Sequence, residues 1–203
     1  MKRRPIFARF YEAVAEAGEA ELREHREATA GGARGRVLEI GAGNGLNFAY
    51  YPSGTTVVGL DPEPIMLRNA APRARDATAR VALIRASAEA LPFRDGVFET
   101  VVLTLTLCSI PDVGAAAREA RRVLAPDGEV RFFEHVRAPD PRVARWQDRI
   151  DRPWGWLAGG CHPNRDTLGL LRRTGFRVRY RRFGFGSRVL PTYDHVVGVA
   201  RLP

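Results

Sequence analysis

Short apolar runs rich in β-branched residues alternate with longer stretches of helical periodicity along most of the chain. The apolar runs predict strands at residues 36–40, 55–60, 81–84, 100–107 and 129–136. The stretches between them predict helices near residues 45–51, 62–77 and 112–124. This repeated order of strand, helix and strand is typical of a parallel sheet covered by helices on both faces. Ligands bind such sheets beyond the carboxyl ends of the strands, so we expect the functional residues there.

The pattern changes after residue 137. A section with several Pro and Trp residues leads into a predicted helix at about 164–174, and strand-like runs follow at 176–183 and 194–202. A turn with Gly and Pro joins these runs, which predicts an antiparallel hairpin at one edge of the sheet. The predicted fold class is therefore α/β: a Rossmann-like, seven-stranded sheet of five parallel strands plus a C-terminal antiparallel hairpin. No linker or repeat divides the chain, so we predict a single domain over residues 1–203.

Apolar residues also recur at helical spacing near the N-terminus, at Ile6, Phe7, Phe10, Tyr11 and Val14. They predict a capping helix within residues 1–30, with a membrane-surface or substrate-covering helix as the alternative. Nearby glutamates interrupt what would otherwise be the apolar part of a secretion signal. The longest apolar run, Val101–Cys108, has eight residues. A spanning helix needs about 18, so no membrane span is predicted.

Composition narrows the class of protein. The chain has 203 residues, of which 45% are hydrophobic and 27% charged, as in a globular domain rather than a disordered or fibrous chain. Its two cysteines, Cys108 and Cys161, are predicted to be free thiols, which suits a cytoplasmic location. The net charge of +9 comes mostly from scattered arginines, and the densest group, within residues 172–182, is predicted to be a solvated face. A polyanion site remains the alternative for that group.

The most informative segment is a glycine loop at the end of the first predicted strand. Gly41, Gly43 and Gly45 allow a sharp turn and a close approach of bare backbone to a ligand. Asp61 ends the second predicted strand, where such a carboxylate accepts the hydroxyl groups of a ribose. A pocket for a nucleoside-containing small molecule is therefore predicted.

The spacing of the loop favours one class of nucleotide. The dinucleotide fingerprint requires a third glycine at the position of Leu46. An NAD-dependent enzyme therefore remains an alternative only if leucine is tolerated there. Glu39, just before the loop, would repel a pyrophosphate but attract an amino-acid ammonium. S-adenosylmethionine carries both an ammonium and a ribose, and it carries no phosphate.

With further motifs at residues 86–93, 95–99 and 118–128, the chain from about residue 36 to 202 resembles a class I S-adenosylmethionine-dependent methyltransferase. The resemblance implies S-adenosyl-L-methionine as cofactor and places its adenine near Ser87, where many members carry Asp. The cofactor-binding residues that it implies are Glu39, Gly41, Ala42, Gly43, Asn44, Gly45, Asp61, Pro62, Met66, Ser87, Ala88, Glu89 and Thr104.

A narrower likeness rests on four segments: Leu107-Cys108-Ser109, Phe133-Glu134-His135-Val136, Asp151-Arg152-Pro153-Trp154 and Gly160-Cys161-His162-Pro163-Asn164-Arg165. These resemble the branch that contains the methyltransferase-like 7 thiol S-methyltransferases and their bacterial relatives. The likeness implies a small-molecule methyl acceptor, a thiol or another lipophilic compound. Residues 138–165 are then expected to cover the acceptor site. Within them Trp146, Trp154 and Trp156, together with Tyr193, line an apolar pocket or serve as packing anchors.

The catalytic candidates are His135 and Glu134, at the end of the fifth predicted strand. His135 is a candidate general base for an acceptor that needs one, and a structural hydrogen bond is the alternative. Cys161 and His162 invite a metal, but a structural zinc takes four ligands, so no metal site is predicted. Cys108 is predicted to be a small buried hydrophobic residue.

Two other functions stay open. The first is an RNA or protein methyltransferase steered by the arginines, although two nucleic-acid enzyme signatures are absent: a Pro-flanked nucleophilic Cys, and an Asn/Asp-Pro-Pro-aromatic motif where Thr104 to Leu107 stand. The second is a cofactor-binding module without chemistry. Nucleic acid is therefore the less favoured partner, and these residues predict no oligomeric state.

Overall fold

A computed structural model describes residues 19–203 of the chain. The apolar residues that predict the N-terminal capping helix, from Ile6 to Val14, lie outside the described residues. A helix is described at Glu19–Thr29. The other helices and strands follow in the order that the sequence pattern predicts, with one additional long helix.

The helices are α1 (Glu19–Thr29), α2 (Pro64–Asp76), α3 (Val113–Val123), α4 (Pro141–Leu157) and α5 (Thr167–Arg173), and a short 3₁₀ helix spans Leu46–Tyr50. The strands are β1 (Arg36–Ile40), β2 (Thr56–Leu60), β3 (Arg80–Ile84), β4 (Phe98–Thr104), β5 (Leu124–His135), β6 (Arg177–Gly184) and β7 (Asp194–Arg201).

All seven strands form one sheet in the order β3-β2-β1-β4-β5-β7-β6. Strands β1 to β5 pair in parallel, and β7 runs antiparallel to both β5 and β6. The predicted fold class is confirmed, including the C-terminal antiparallel hairpin. The strand order reverses between β1 and β4, and a parallel sheet opens a crevice for ligands at such a point.

The core lies on both faces of the central strands. Val37 and Leu38 of β1 and Val101 of β4 are fully buried, as expected for parallel strands with helices on both sides. Small residues let α3 approach closely, since Ala116 and Ala120 are both buried. The largest cluster of buried apolar residues joins β1, β4, β5 and β7 to the faces of α3 and α5.

Some strand boundaries differ from the sequence prediction, and one helix is additional. Strand β5 begins at Leu124, five residues before the predicted start at residue 129. Strand β4 ends at Thr104, three residues before the end of the predicted strand, because Leu105 adopts a left-handed backbone with φ of 51°. Helix α4 was not predicted at all. Its start carries a recognisable signal, because the side chain of Asp140 accepts a hydrogen bond from Arg142 N and Pro141 occupies the first turn.

Helix α1 is held on the sheet by a side chain from β5. The guanidinium of Arg131 donates to the carbonyl oxygens of Ala28 (2.6 Å) and Thr29 (2.8 Å), which end the helix. It also pairs with the buried carboxylate of Glu129 at 2.6 Å. This contact stabilises the C-terminus of α1, where carbonyl groups have no partner within the helix.

Candidate functional site

The glycine loop follows β1 and turns back over the end of β2. The N–H groups of Gly41 and Ala42 both donate to the carbonyl oxygen of Leu60, at 2.8 and 2.9 Å. Gly41 has φ of 73°, and a Cβ there would collide with the hydroxyl of Thr106. A Cβ on Gly43, whose φ is 54°, would instead point into open space. The loop therefore turns sharply at Gly41 and presents bare backbone to open space at Gly43.

Glu39 lies beneath this loop in a buried polar network. Its two carboxylate oxygens accept hydrogen bonds from Asn47 Nδ2 (2.7 Å) and from the hydroxyl of Tyr51 (2.9 Å). Asn47 also donates to Thr104 Oγ1 at 2.9 Å and accepts from Arg26 of α1 at 2.8 Å. The network links helix α1, the 3₁₀ helix and the ends of β1 and β4 around the carboxylate of Glu39.

Burial raises the pKa of Glu39 to about 7, although the hydrogen bonds from Tyr51 and Asn47 favour its ionised form. A buried carboxylate with a raised pKa gains stability from a cation placed beside it. The site thus offers a place where a positively charged group would be favourable.

Asp61 immediately follows β2 and lies across the loop from Glu39. One carboxylate oxygen accepts from Gly43 N at 3.1 Å, and the other accepts from Glu63 N at 2.8 Å. Burial raises the pKa of Asp61, while these two N–H groups oppose the shift. The two bonds hold the carboxylate against the glycine loop and leave lone pairs for further donors.

The remaining cofactor candidates lie along the same edge of the sheet. Pro62 and Met66 are half-buried at the start of α2, and the guanidinium of Arg85 donates to the carbonyl oxygen of Pro62 at 3.2 Å. Ser87 Oγ hydrogen-bonds the carboxylate of Glu89, whose other oxygen accepts from Asp112 N at 3.2 Å. Ala88, which stands between Ser87 and Glu89 in the sequence, is buried. Residues 87–89 thus form a short polar turn after β3.

A shallow cleft that opens to solvent lies between the loop and the end of β4. Its lining residues are Arg26, Glu39, Gly41, Ala42, Gly43, Asn44, Leu46, Asn47, Thr104 and Leu105. Asn44 is buried, and its Nδ2 has no hydrogen-bond partner among residues 19–203. A buried donor without a partner is costly, and a ligand oxygen would satisfy it.

The turn after β4 connects this cleft to the end of β5. One carboxylate oxygen of Glu134 accepts from both Thr106 N (2.9 Å) and Leu107 N (3.0 Å). Burial raises the pKa of Glu134 to about 8. The two bonds hold the backbone that follows the left-handed residue Leu105, so Glu134 fixes the path of the chain toward Cys108.

Two thiols and an imidazole meet beyond that turn. Cys108, His135 and Cys161 each present one ligating atom, and the three atoms lie within 4.8 Å of one another. His135 Nε2 is 3.1 Å from the Sγ of Cys161. Cys108 and His135 are buried, Cys161 is half-buried, and both thiols are free.

The charges in the cluster depend on these contacts. A hydrogen bond from Cys108 lowers the pKa of Cys161, and the same bond together with burial raises the pKa of Cys108 far above its usual range. Burial disfavours a charge on His135, but the neighbouring Cys108 raises the pKa of the imidazole. The pKa of Cys161 is thus lower than that of Cys108.

The cluster differs from the sequence interpretation in its members. Cys108 contacts polar partners instead of serving only as a small apolar residue. His162, which follows Cys161 in the sequence, pairs with Asp151 at 2.9 Å. No local pattern could have revealed the cluster, because its members come from the turn after β4, the end of β5 and the segment after α4. Only the fold brings them together.

The aromatic candidates do not converge on one pocket. Trp156 is 76% exposed and Trp146 is 37% exposed on α4, so neither is a buried packing anchor. Trp154 and Tyr193 are half-buried. Among residues 19–203, no helix combines the length and apolar character needed to cross a bilayer.

Comparisons with known proteins show which family and which solved structures the chain resembles. Residues 38–132 match the family described as a methyltransferase domain. The chain is 33% identical over 176 residues to the human thiol S-methyltransferase TMT1B, which covers 83% of this chain and 72% of that protein. It is 34% identical over 145 residues to human TMT1A, across 69% of this chain and 59% of that protein. The crystal structure of YcgJ from Bacillus subtilis has the same fold, with a TM-score of 0.71 at 16% identity over 91% of this chain and 99% of that one.

Proposed function

Because this chain belongs to the class I S-adenosylmethionine-dependent methyltransferases, we propose that it transfers the methyl group of S-adenosylmethionine to the sulfur of a small thiol. One observation carries the proposal: the turn 104–108 joins the cleft under the glycine loop directly to the cluster of Cys108, His135 and Cys161. The printed names of TMT1B and TMT1A, thiol S-methyltransferases, support the choice of acceptor.

The residues of the cleft fit the chemical groups of the cofactor. The carboxylate of Glu39 would receive the ammonium, and Asn44 Nδ2 together with the bare backbone near Gly43 would receive the carboxylate. Asp61 would accept the ribose hydroxyls with the lone pairs that Gly43 and Glu63 leave free. Ser87 and Glu89 would contact the adenine, beside Ala88.

The other cofactor candidates have supporting parts. Gly41, Ala42 and Gly45 shape the loop, and Thr104 holds Asn47 in place under Glu39. Pro62 and Met66 would form the wall behind the ribose and adenine. These assignments follow from position and chemistry at one edge of the sheet.

S-adenosylmethionine supplies an activated methyl group and a neutral leaving group, so the protein need not protonate the departing sulfur. In the transfer a bond forms between the acceptor sulfur and the methyl carbon while the bond to the sulfonium breaks. The acceptor thiol releases its proton to solvent, and the products are a thioether and S-adenosylhomocysteine. Orientation of the two reactants can lower the barrier by several kcal/mol, which is the main task left to the chain.

The acceptor side is formed by residues 104–108, the end of β5 and residues 138–165, which we propose cover the bound thiol. His135 and Glu134 have separate tasks here. His135 faces the two thiols, whereas Glu134 is a positioning residue that holds the turn. The free thiols fit a reducing compartment such as the cytoplasm.

The test is methyl transfer from labelled S-adenosylmethionine to a panel of small thiols, each matched with the alcohol of the same skeleton. We expect transfer to thiols and none to the alcohols, because a thiolate forms far more readily at neutral pH. Transfer to an RNA or a protein with none to any thiol would reject the proposed acceptor. Cofactor binding without transfer to any acceptor would indicate a binding module.

A further inference from the structure

We propose that Cys108, His135 and Cys161 form a metal site for a single Zn²⁺ ion, with three protein ligands and an open fourth position. The site is distinct from the cofactor cleft, and its existence does not depend on the identity of the methyl acceptor. Resting on the proposed function, we further infer that the open position binds the acceptor as a thiolate.

The ligand set is the first argument. Two thiolates and one imidazole are among the ligand sets that zinc takes at catalytic sites, and their softness excludes magnesium or calcium. All three ligand atoms lie within 4.8 Å of one another. Ligands of a tetrahedral zinc, at Zn–S of about 2.3 Å and Zn–N of about 2.0 Å, are about 3.5 to 3.8 Å apart. The 3.1 Å between His135 Nε2 and Cys161 Sγ needs only a small widening.

The supports behind the ligands are the second argument. His135 is buried at the end of β5, where its backbone pairs with His195 of β7, so β7 holds its position. Cys108 follows the turn that Glu134 holds through two backbone N–H groups. His162 N donates to the carbonyl oxygen of Cys108 at 2.9 Å, which ties the segment that carries Cys161 to that turn. Fixed ligand positions lower the cost of binding an ion.

The number of ligands is the third argument. Glu134 is not among the atoms that lie within 4.8 Å of one another, and the imidazole of His162 is engaged by Asp151. Within the part of the chain that the structure describes, the cluster therefore has three ligands. Structural zinc sites use four protein ligands, whereas three with an open position are typical of reactive sites.

The fourth position is reachable from the side of Cys161, the half-buried member of the cluster. Gly159 and Gly160 precede Cys161, and the nearest atom outside residues 159–161 to a Cβ built on Gly160 is the carbonyl oxygen of Ser109, at 3.9 Å. A small thiol could approach there. Coordination would release the thiol proton to solvent, because zinc binds the deprotonated sulfur.

The metal site is tested by titrating the reduced, metal-free protein with Co²⁺ in a buffer that contains a phosphine reductant and no thiol. We expect one Co²⁺ per chain, with thiolate-to-cobalt charge-transfer absorption and the intense visible bands of a tetrahedral ion. Cys108→Ser and Cys161→Ser should each lose this stoichiometric binding. His162→Gln is the matched control, because it changes the residue beside Cys161 without touching the cluster, and it should bind Co²⁺ like the wild type.

Binding of S-adenosylhomocysteine by every variant confirms that it is folded. The metal site is refuted if the fully reduced wild type takes up no stoichiometric Co²⁺, or if Cys161→Ser keeps the charge-transfer band. If the reduced protein ignores Co²⁺ and Cys108 and Cys161 oxidise readily to a disulfide, the cluster is a redox pair and the proposal is wrong.

The open position is tested on the cobalt-loaded protein with S-adenosylhomocysteine bound. Addition of 2-mercaptoethanol should shift the visible bands, whereas ethylene glycol, its hydroxyl analogue, should not. Unchanged bands with 2-mercaptoethanol would refute coordination of the thiol but not the metal site itself. Because these readouts are spectroscopic, they separate the failure of this inference from the failure of thiol methylation, which the transfer assay reports.

Discussion

Among single residues, Glu39 combines nearly complete burial with a pKa near neutrality, which makes the ligand-free protein sensitive to pH. The folded state holds a proton on Glu39 up to about pH 7, whereas the unfolded chain releases it near its ordinary pKa of 4.5. The unfolded state thus binds fewer protons between these values, so the contribution of Glu39 to stability falls as pH rises through this window.

We predict that Glu39→Gln stabilises the ligand-free protein relative to the wild type at pH 8 but not at pH 4. The difference in unfolding free energy should grow across the window from 4.5 to about 7, to at most on the order of 3 kcal/mol. Urea unfolding of both proteins at several pH values measures it. Parallel stability curves for the two proteins would contradict the raised pKa.

Asp61 provides the second prediction for a single residue. Asp61→Ala removes the carboxylate proposed to bind the ribose, and affinity for S-adenosylhomocysteine should fall by about 10- to 100-fold, the value of charged hydrogen bonds. Calorimetric titration measures the loss. Asp127→Ala, a change at an exposed residue near the start of β5, is the control and should leave affinity unchanged. Equal affinity of Asp61→Ala and the wild type would remove the basis of the cofactor assignment.

How well the sequence predicts residues depends on whether the signal is local. The glycine loop and Asp61 were predictable, because each ends a strand whose apolar run is visible in the sequence. The cluster of Cys108, His135 and Cys161 was not, because it requires three separate segments to meet. The role of Glu134 in holding residues 106 and 107 was not predictable either. No sequence pattern indicates that a side chain will accept hydrogen bonds from distant backbone N–H groups.

Between elements, the attachment of α1 to β5 depends on Arg131. We predict that Arg131→Met destabilises the protein by about 1 to 3 kcal/mol, because the carbonyl groups of Ala28 and Thr29 lose their donor and the buried carboxylate of Glu129 loses a partner. Denaturant unfolding measures the loss. Arg173→Met, which removes an exposed pair with Asp166, should change stability by less than about 0.5 kcal/mol. Similar losses of unfolding free energy for both variants would show that the contacts of Arg131 stabilise the protein no more than an exposed ion pair does.

Strands were easier to predict from the sequence than helices in this chain. Each predicted strand corresponds to an observed one, because buried parallel strands need continuous β-branched runs. Helix α4 was missed because two Pro and three Trp residues interrupt its helical pattern. Its Asp140 and Pro141 are strong start signals, and Pro153 inside the helix obscured its length. The left-handed residue Leu105 could not be predicted, since tertiary contacts rather than residue type impose it.

For the molecule as a whole, the net charge of +9 distinguishes the competing acceptors. Methylation of an uncharged small thiol should change by less than about twofold between about 50 and about 200 mM salt, because no long-range attraction brings the acceptor in. An RNA acceptor held by several arginines would lose affinity by orders of magnitude over the same range. Steady-state rates measured across the salt series decide between them. A steep fall in rate with an uncharged thiol acceptor would contradict this prediction.

The order of the strands also determines when each half of the site can form during synthesis. Strand β7 follows the other six strands along the chain, yet it pairs with β5 next to Glu134 and His135. A nascent chain on the ribosome can complete β1 to β4, with the glycine loop and Asp61, before β7 is translated. Until then β5 has an unpaired edge. The part of the site with the glycine loop and Asp61 can therefore form first. The part that contains His135 forms only after β7 has emerged from the ribosome.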